Sequence, residues 1–226
     1  MSISDSSETL PEAGQSTFGP ARWRGLMSAL GLGAQDETYA ALAEAYGARG
    51  RHYHNRDHVA ACLDLLDAHA DLAEHPAEVE LALWFHDAVY DTRAFDNEAK
   101  SAGWAAEFLA GAGAEPAAAA RVRAHVLATR HDAAPAPGDS APGDSALVVD
   151  IDLAILGRAP AVFDAFDRGI RKEYAWVPGF LYRRKRRQIL EHLLDRPRLY
   201  ATPALRARFE APARANLQRA LGRLGS

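Results

Sequence analysis

Nine histidines occur in the chain, and six of them, His52, His54, His58, His69, His75 and His86, crowd into 35 residues. Imidazoles gathered in this way point to metal or proton chemistry. His58 lies four residues before Cys62 and seven before Leu65, so on a helix it shares the apolar face that turns into the core. His54 stands one turn earlier on the same line, and Asn55 is placed to cap the helix. The run Val79 to Tyr90 is apolar nearly all round, which puts His86 and Asp87 on a buried helix. A buried carboxylate without a partner is costly, and a divalent cation removes that cost by supplying the opposite charge. A single core-facing His is more often an ordinary hydrogen-bonded residue. Three such residues joined by one helical hairpin favour an ion.

A fourth ligand must come from further along. Asp150 and Asp152 both sit among apolar residues in the run Leu147 to Gly157. Asp152, one turn before Leu156 on the apolar face, is the better ligand, whereas Asp150 also suits a cap of its own helix.

The elements that must carry these residues are helices. Apolar residues recur three and four apart from Ala21 onward, and strict alternation over a strand length is hard to find. An all-α domain is expected over residues 21–222, with helices near 21–32, 36–48, 55–73, 76–91, 96–112, 115–131, 147–156, 160–175, 178–195 and 203–222. Pro76 and Pro116 suit first-turn positions and Asp96 suits a cap. Residues 1–20 are expected to form a disordered tail. Residues 132–146 are expected to form a flexible Pro/Gly-rich loop. That loop holds the tandem Ala136–Ser140 and Ala141–Ser145, both APGDS, read as an insertion without chemistry of its own.

Composition narrows the classes. The 226 residues carry 26 basic and 30 acidic side chains, a formal charge of −4, with 48% hydrophobic residues and one Cys. A disulfide scaffold is excluded because Cys62 has no partner, and a mildly acidic chain lacks the basic footprint of a dedicated nucleic-acid binder. No apolar run is long enough to span a membrane, and the first fifteen residues do not read as a secretory signal. A cytoplasmic location is expected. Walker, Gly-x-Gly-x-x-Gly, Gly-x-Ser-x-Gly and Cys-x-x-Cys patterns are absent.

Basic residues for a phosphate are available in Arg183 to Arg187, five successive cations. Lys185 and Arg186 flank the apolar stripe of their helix and are the first candidates, ahead of Arg51, Arg56 and Lys100. Glu98 reads as a first-turn acid or a partner to the site. Of His125 and His131, spaced six apart, His131 at the helix end is the better site neighbour.

His58, then His86-Asp87 after 27 intervening residues, then Asp152 after a further 64, resembles the H…HD…D signature of the HD superfamily of metal-dependent phosphohydrolases. Tyr53-His54-Asn55 followed by His58 is similar to the YHNxxH element of cyclic-nucleotide phosphodiesterases. Ile151-Asp152-Leu153 is similar to the ADxL element of other members. Arg51 to Asn55, Phe85 to Asp87, Tyr90-Asp91, Asp96 to Glu98, Ser101-Ala102 and Asp150 to Gly157 resemble a bacterial stand-alone group of HD phosphohydrolases, over about residues 50–200. The resemblance implies an HD-domain helical bundle with additional C-terminal helices. It implies His58, His86, Asp87 and Asp152 as ligands of one divalent ion (Mn, Fe, Zn, Ni, Co or Mg), and His54 and Asp87 as catalytic residues, His54 giving a proton to the leaving group. Other members bind a second ion, for which His131 and Asp150 are the candidates here. The expected activity is hydrolysis of a phosphate ester of a nucleotide or similar small phosphorylated metabolite by a metal-activated water. A di-iron oxygenase on the same cage and a non-catalytic metal-binding sensor are the alternatives. Apolar positions over 160–175 suggest a homodimer.

Overall fold

Proline sets the punctuation of this chain. Pro20, Pro76, Pro116, Pro160 and Pro203 each occupy the first turn of a helix, where the missing N–H would have had no partner and φ is already helical. The computed structural model describes residues 17–130 and 143–225. Among them are ten α-helices and no strand: α1 (Pro20–Ala29), α2 (Asp36–Tyr46), α3 (Arg56–Asp67), α4 (Pro76–Phe85), α5 (Asn97–Gly111), α6 (Pro116–Ala128), α7 (Asp144–Asp152), α8 (Pro160–Glu173), α9 (Gly179–Asp195) and α10 (Pro203–Arg223). Short 3₁₀ turns follow α3 and α7, at Ala70–Leu72 and Leu153–Gly157. No helix of the described residues is long and apolar enough to cross a membrane.

The centre is α4. Val79, Leu81, Ala82, Leu83, Trp84 and Phe85 have no exposed surface, as a helix apolar on every side requires, and α1, α3, α5, α6 and α7 all pack against it. An aromatic cluster fills one side, with Trp84 4.5 Å from Phe18 and edge-on to Trp23 at 5.4 Å. The polar residue Glu78 survives in the core because Arg121 of α6 grips both its oxygens at 2.7 Å. The second half of the chain wraps around the turn Leu153–Gly157, which packs on α8 and α10.

Several expected boundaries move. Helix α4 ends at Phe85 and not near residue 91, so His86 and Asp87 lie in the turn beyond it. Asp96 does not cap α5 with its side chain; it pairs with Lys100 at 2.9 Å. Instead, Asn97 bonds the Asp91 backbone in both directions, at 3.1 and 2.9 Å. Of the expected loop 132–146, residues 132–142 lie outside the described residues, as do residues 1–16 of the expected tail. Of the described remainder, Phe18 of the expected tail is buried against Trp84 and Pro20 opens α1, and in the expected loop α7 starts at Asp144. The second APGDS copy therefore contributes to the fold. The Asp144 carboxylate accepts the Glu74 and His75 N–H groups at 2.8 Å, and Ser145 Oγ lies 2.7 Å from His125 Nδ1. Because the copies are identical, deleting either one still leaves Asp-Ser before Ala146.

Gly157 is where α10 comes closest. A Cβ built there would stand 2.7 Å from the Phe209 carbonyl oxygen and 2.9 Å from its Cα, so backbone would have to move. Gly157→Ala is expected to lower unfolding stability by about 1–3 kcal/mol, read by urea denaturation; an unchanged midpoint would contradict the packing described.

Candidate metal centre

A helix leaves its last four carbonyls without intrahelical donors, and α4 ends inside the protein where water cannot serve them. Each finds a partner. The His86 N–H bonds the Ala82 oxygen at 2.9 Å, and the Ala88 N–H bonds the Phe85 oxygen at 2.9 Å. The Tyr46 hydroxyl donates to the Trp84 oxygen at 3.1 Å, and the His86 ring Nδ1 lies 2.9 Å from the Leu83 oxygen. A carbonyl only accepts, so Nδ1 carries the hydrogen and the neutral ring turns a lone pair outward at Nε2. Termination of α4 thus sets the tautomer of His86.

That lone pair meets three other donor atoms. His58, at the start of α3, is aimed by the Asn55 cap, whose side chain accepts the Asp57 and His58 N–H groups at 3.0 and 3.3 Å. Its Nε2 lies 3.0 Å from His86 Nε2, 3.2 Å from Asp152 Oδ1 and 3.6 Å from Asp87 Oδ2. His86 Nε2 lies 3.1 Å from Asp87 Oδ2 and 3.6 Å from Asp152 Oδ1. Donors about 2.1 Å from one ion stand about 3.0 Å apart in octahedral and about 3.4 Å apart in tetrahedral geometry, so these spacings fit one small cation. The charge pattern agrees. Burial disfavours a charged ring at His86, yet Asp87 and Asp152 raise its pKa well above the ordinary value, while burial holds His58 below its own. The two acids thus draw positive charge to His86 Nε2, where a proton or a metal ion competes for the same lone pair.

His58, Cys62, His86 and Asp152 together offer ligand atoms within 4.8 Å of one another, a group that could hold a metal ion. Cys62 had not been expected there. Its sulfur is 3.9 Å from both ring nitrogens of His58, which places it beside the ring and out of line with the Nε2 lone pair. Burial also pushes its thiol well above the usual range.

A second buried assembly holds His54. One oxygen of Glu173, the last residue of α8, accepts the backbone N–H groups of His52, Tyr53 and His54 at 2.8, 2.7 and 3.0 Å. The other oxygen meets His54 Nδ1 at 2.7 Å and the Tyr90 hydroxyl at 2.9 Å. Gly169, one turn earlier, lets α8 come this close: a Cβ there would lie 3.1 Å from Tyr53 Cβ. Burial works against the Glu173 charge, but the bonds from His54 and the backbone lower its pKa to about 2. Arg51 braces the same region, donating to the carbonyls of His54, Asp87 and Ala88 at 3.0, 2.7 and 2.8 Å.

The remaining candidates are placed elsewhere. Asp150 is no neighbour of the cluster: its oxygens accept the Ala201 and Thr202 N–H groups at 3.0 and 2.5 Å, so it caps the start of α10 and not its own helix. Arg186 is buried against Asp167, bonded at 2.8 and 3.1 Å, and Lys185 is solvent-exposed. Neither lines the cleft beside the cluster; the cleft's arginine is Arg158. Arg51 and Arg56 are committed to carbonyl oxygens. His131 lies outside the described residues. Sequence reasoning missed Glu173, Tyr46 and Arg158. For Glu173 the one local signal was an acid at a helix end, where the dipole disfavours it.

Glu173→Gln is expected to cost about 1–3 kcal/mol of unfolding stability, because an amide cannot accept from both His54 and the hydroxyl of Tyr90 while accepting three N–H groups. The folded-state pKa is depressed, so the carboxylate's contribution is full above its ordinary 4.5 and is lost as pH falls toward about 2. The gap between wild type and variant should therefore close over that window. A gap independent of pH would contradict the assignment.

No protein-family model matches the chain, and no curated protein and no solved structure matches it.

Proposed function

We propose that the chain is a metal-dependent phosphohydrolase of the HD type, acting on a phosphate ester of a nucleotide or similar small phosphorylated metabolite. The observation that carries this reading is the convergence of His58 Nε2, His86 Nε2, Asp87 Oδ2 and Asp152 Oδ1 at 3.0–3.6 Å, next to an independently held imidazole. Two neutral imidazoles and two carboxylates balance one divalent charge and suit Mn, Fe, Zn, Ni, Co or Mg better than Ca. Such an ion supplies Lewis acidity, drawing electron density from a phosphoryl oxygen and acidifying water.

The protein's own part is proton delivery and positioning. With Glu173 on Nδ1, the ring of His54 presents Nε2 as its free position. Burial opposes its charge, but Asp87 and Glu173 prevail and raise the pKa above the ordinary value, so the ring is stocked with a proton for a departing alkoxide. Tyr90 stacks on it at 4.2 Å and limits its rotation. Asp87 both faces the imidazole lone pairs and stabilises the charged form of His54. A purely structural cage would have no use for an oriented imidazole beside it, which favours catalysis over a sensor. The oxygenase alternative needs a second ligand set; among the described residues one cluster gathers three or more His, Cys, Asp or Glu donors.

His54→Gln is expected to keep its metal and lose about 10²–10⁴ in kcat, whereas Asp152→Ala should lose both. The assay is a panel of phosphomonoesters, phosphodiesters and nucleotides with Mn, Co, Ni, Mg and Fe, run beside metal analysis. Turnover by His54→Gln at the wild-type rate would remove its role, and no turnover by wild type with any metal would remove the reading.

A further inference from the structure

Beside the metal cluster opens a cleft of about 270 Å³ whose lining includes Tyr53, His58, Cys62, Asp152 and Arg158. Its size is just under the roughly 300–1,000 Å³ of typical ligand pockets, which fits a small metabolite. Two polar groups here are unsatisfied by the described residues. The Tyr53 hydroxyl is buried and has no hydrogen-bond partner among the described residues. An orphaned buried donor is uncommon in a native protein and calls for a specific explanation. Tyr53 cannot swing away to find water, because its ring is wedged between His58 at 4.7 Å and Phe166 at 4.5 Å and Glu173 holds its N–H.

The second group is the guanidinium of Arg158. Its backbone is fixed at the end of the turn Leu153–Gly157, where its carbonyl accepts from Asn216 Nδ2 at 2.8 Å. Its side chain has no ion-pair or hydrogen-bond partner among the described residues, and its charge acts on Cys62, which lies against His58. Nearby arginines differ: Arg51 is spent on carbonyls and Arg186 on Asp167. The other acid of the cleft, Asp57, is solvent-exposed. Ile155, Val162 and Phe166 supply an apolar wall.

We propose that Tyr53 and Arg158 form an anion subsite next to the metal cluster, which binds the phosphoryl oxygens of a small organic phosphate while Ile155, Val162 and Phe166 pack against its organic part. This rests on the phosphohydrolase reading for what happens to the ligand, though not for its binding. The phenol donates one hydrogen bond and the guanidinium donates two in the fork that matches a phosphate edge. The substrate class is thereby narrowed to phosphates carrying a compact apolar or aromatic group.

The test is calorimetric titration of the full chain, as purified and after chelation, with inorganic phosphate and with phenyl phosphate. Metal content and unfolding midpoint are measured on every variant. Wild type should bind phenyl phosphate more tightly than phosphate. Arg158→Met should weaken both by at least about tenfold and Tyr53→Phe by a comparable factor, with metal content unchanged. Tyr53→Phe should unfold no more easily than wild type, since it removes an unsatisfied group. Arg158→Lys, which keeps the charge without the fork, should fall between wild type and Arg158→Met and serves if the Met variant folds poorly. Binding by both variants equal to wild type, or no phosphate binding by wild type, would overturn the subsite. Arg158-dependent binding without hydrolysis under any metal would support the subsite and remove the phosphohydrolase reading; metal-dependent hydrolysis with Arg158-independent binding would do the reverse.

Discussion

The organisation of this protein follows from burying the C-terminal end of an apolar helix. Helix α4 must lie at the centre because its C-terminal part, Leu81 to Phe85, is apolar on every side, and it stops there, so the carbonyls of Ala82 to Phe85 must be satisfied without water. Leaving any one unpaired would cost about 1–3 kcal/mol. The chain answers with the His86 N–H and ring, the Tyr46 hydroxyl and the Ala88 N–H. Those choices fix more than the helix end. His86 is held in one tautomer with its lone pair outward, and the Tyr46 oxygen also accepts the Asp87 N–H at 3.2 Å, which holds Asp87 beside it. Helix termination and site assembly are the same event here.

The other half of the site depends on buried acids that act far along the chain. Glu173 reaches back 119 residues to His54 and gathers three successive N–H groups on one oxygen, the geometry that most strongly stabilises a carboxylate anion. Arg51 ties that segment to the turn after α4 by sharing one guanidinium among carbonyls from both. Segments 51–58, 86–90, 152 and 173 are thus tied together by polar contacts as well as by packing. Buried polar networks of this kind are costly when incomplete, which makes the unsatisfied Tyr53 hydroxyl informative.

The all-helical class was legible in the sequence because it follows from helical periodicity, whereas His58, His86, Asp87 and Asp152, which the structure brings together, were singled out by the H…HD…D motif spacing and not by a helical register that His86 and Asp87 do not keep. His58 shares a face with Cys62 and Leu65, and the uniform apolarity of α4 announces a central helix. What was not legible depends on contacts between distant segments. No Gly or Pro marks the stop at Phe85; the stop is written in side chains that come from Tyr46 and His86. Asp150 and Asp152 look alike locally, and only the arrival of Thr202 some fifty residues later separates a cap from an acid that faces His58 and His86. Arg186 was correctly placed toward the body, yet Asp167 of α8 claims it, a pairing that spacing within α9 cannot reveal. Glu173 reads as one acid among many until α8 is docked against residues 52–54.

The central claim is that one divalent ion is held by two imidazoles and two carboxylates at the end of α4. X-ray absorption at the edge of the metal retained by the chain after dialysis tests it most directly. The account predicts one ion per chain, with only nitrogen and oxygen neighbours at about 2.0–2.2 Å and scattering from two imidazole rings. No retained ion, or a neighbour shell without two imidazoles, would contradict it.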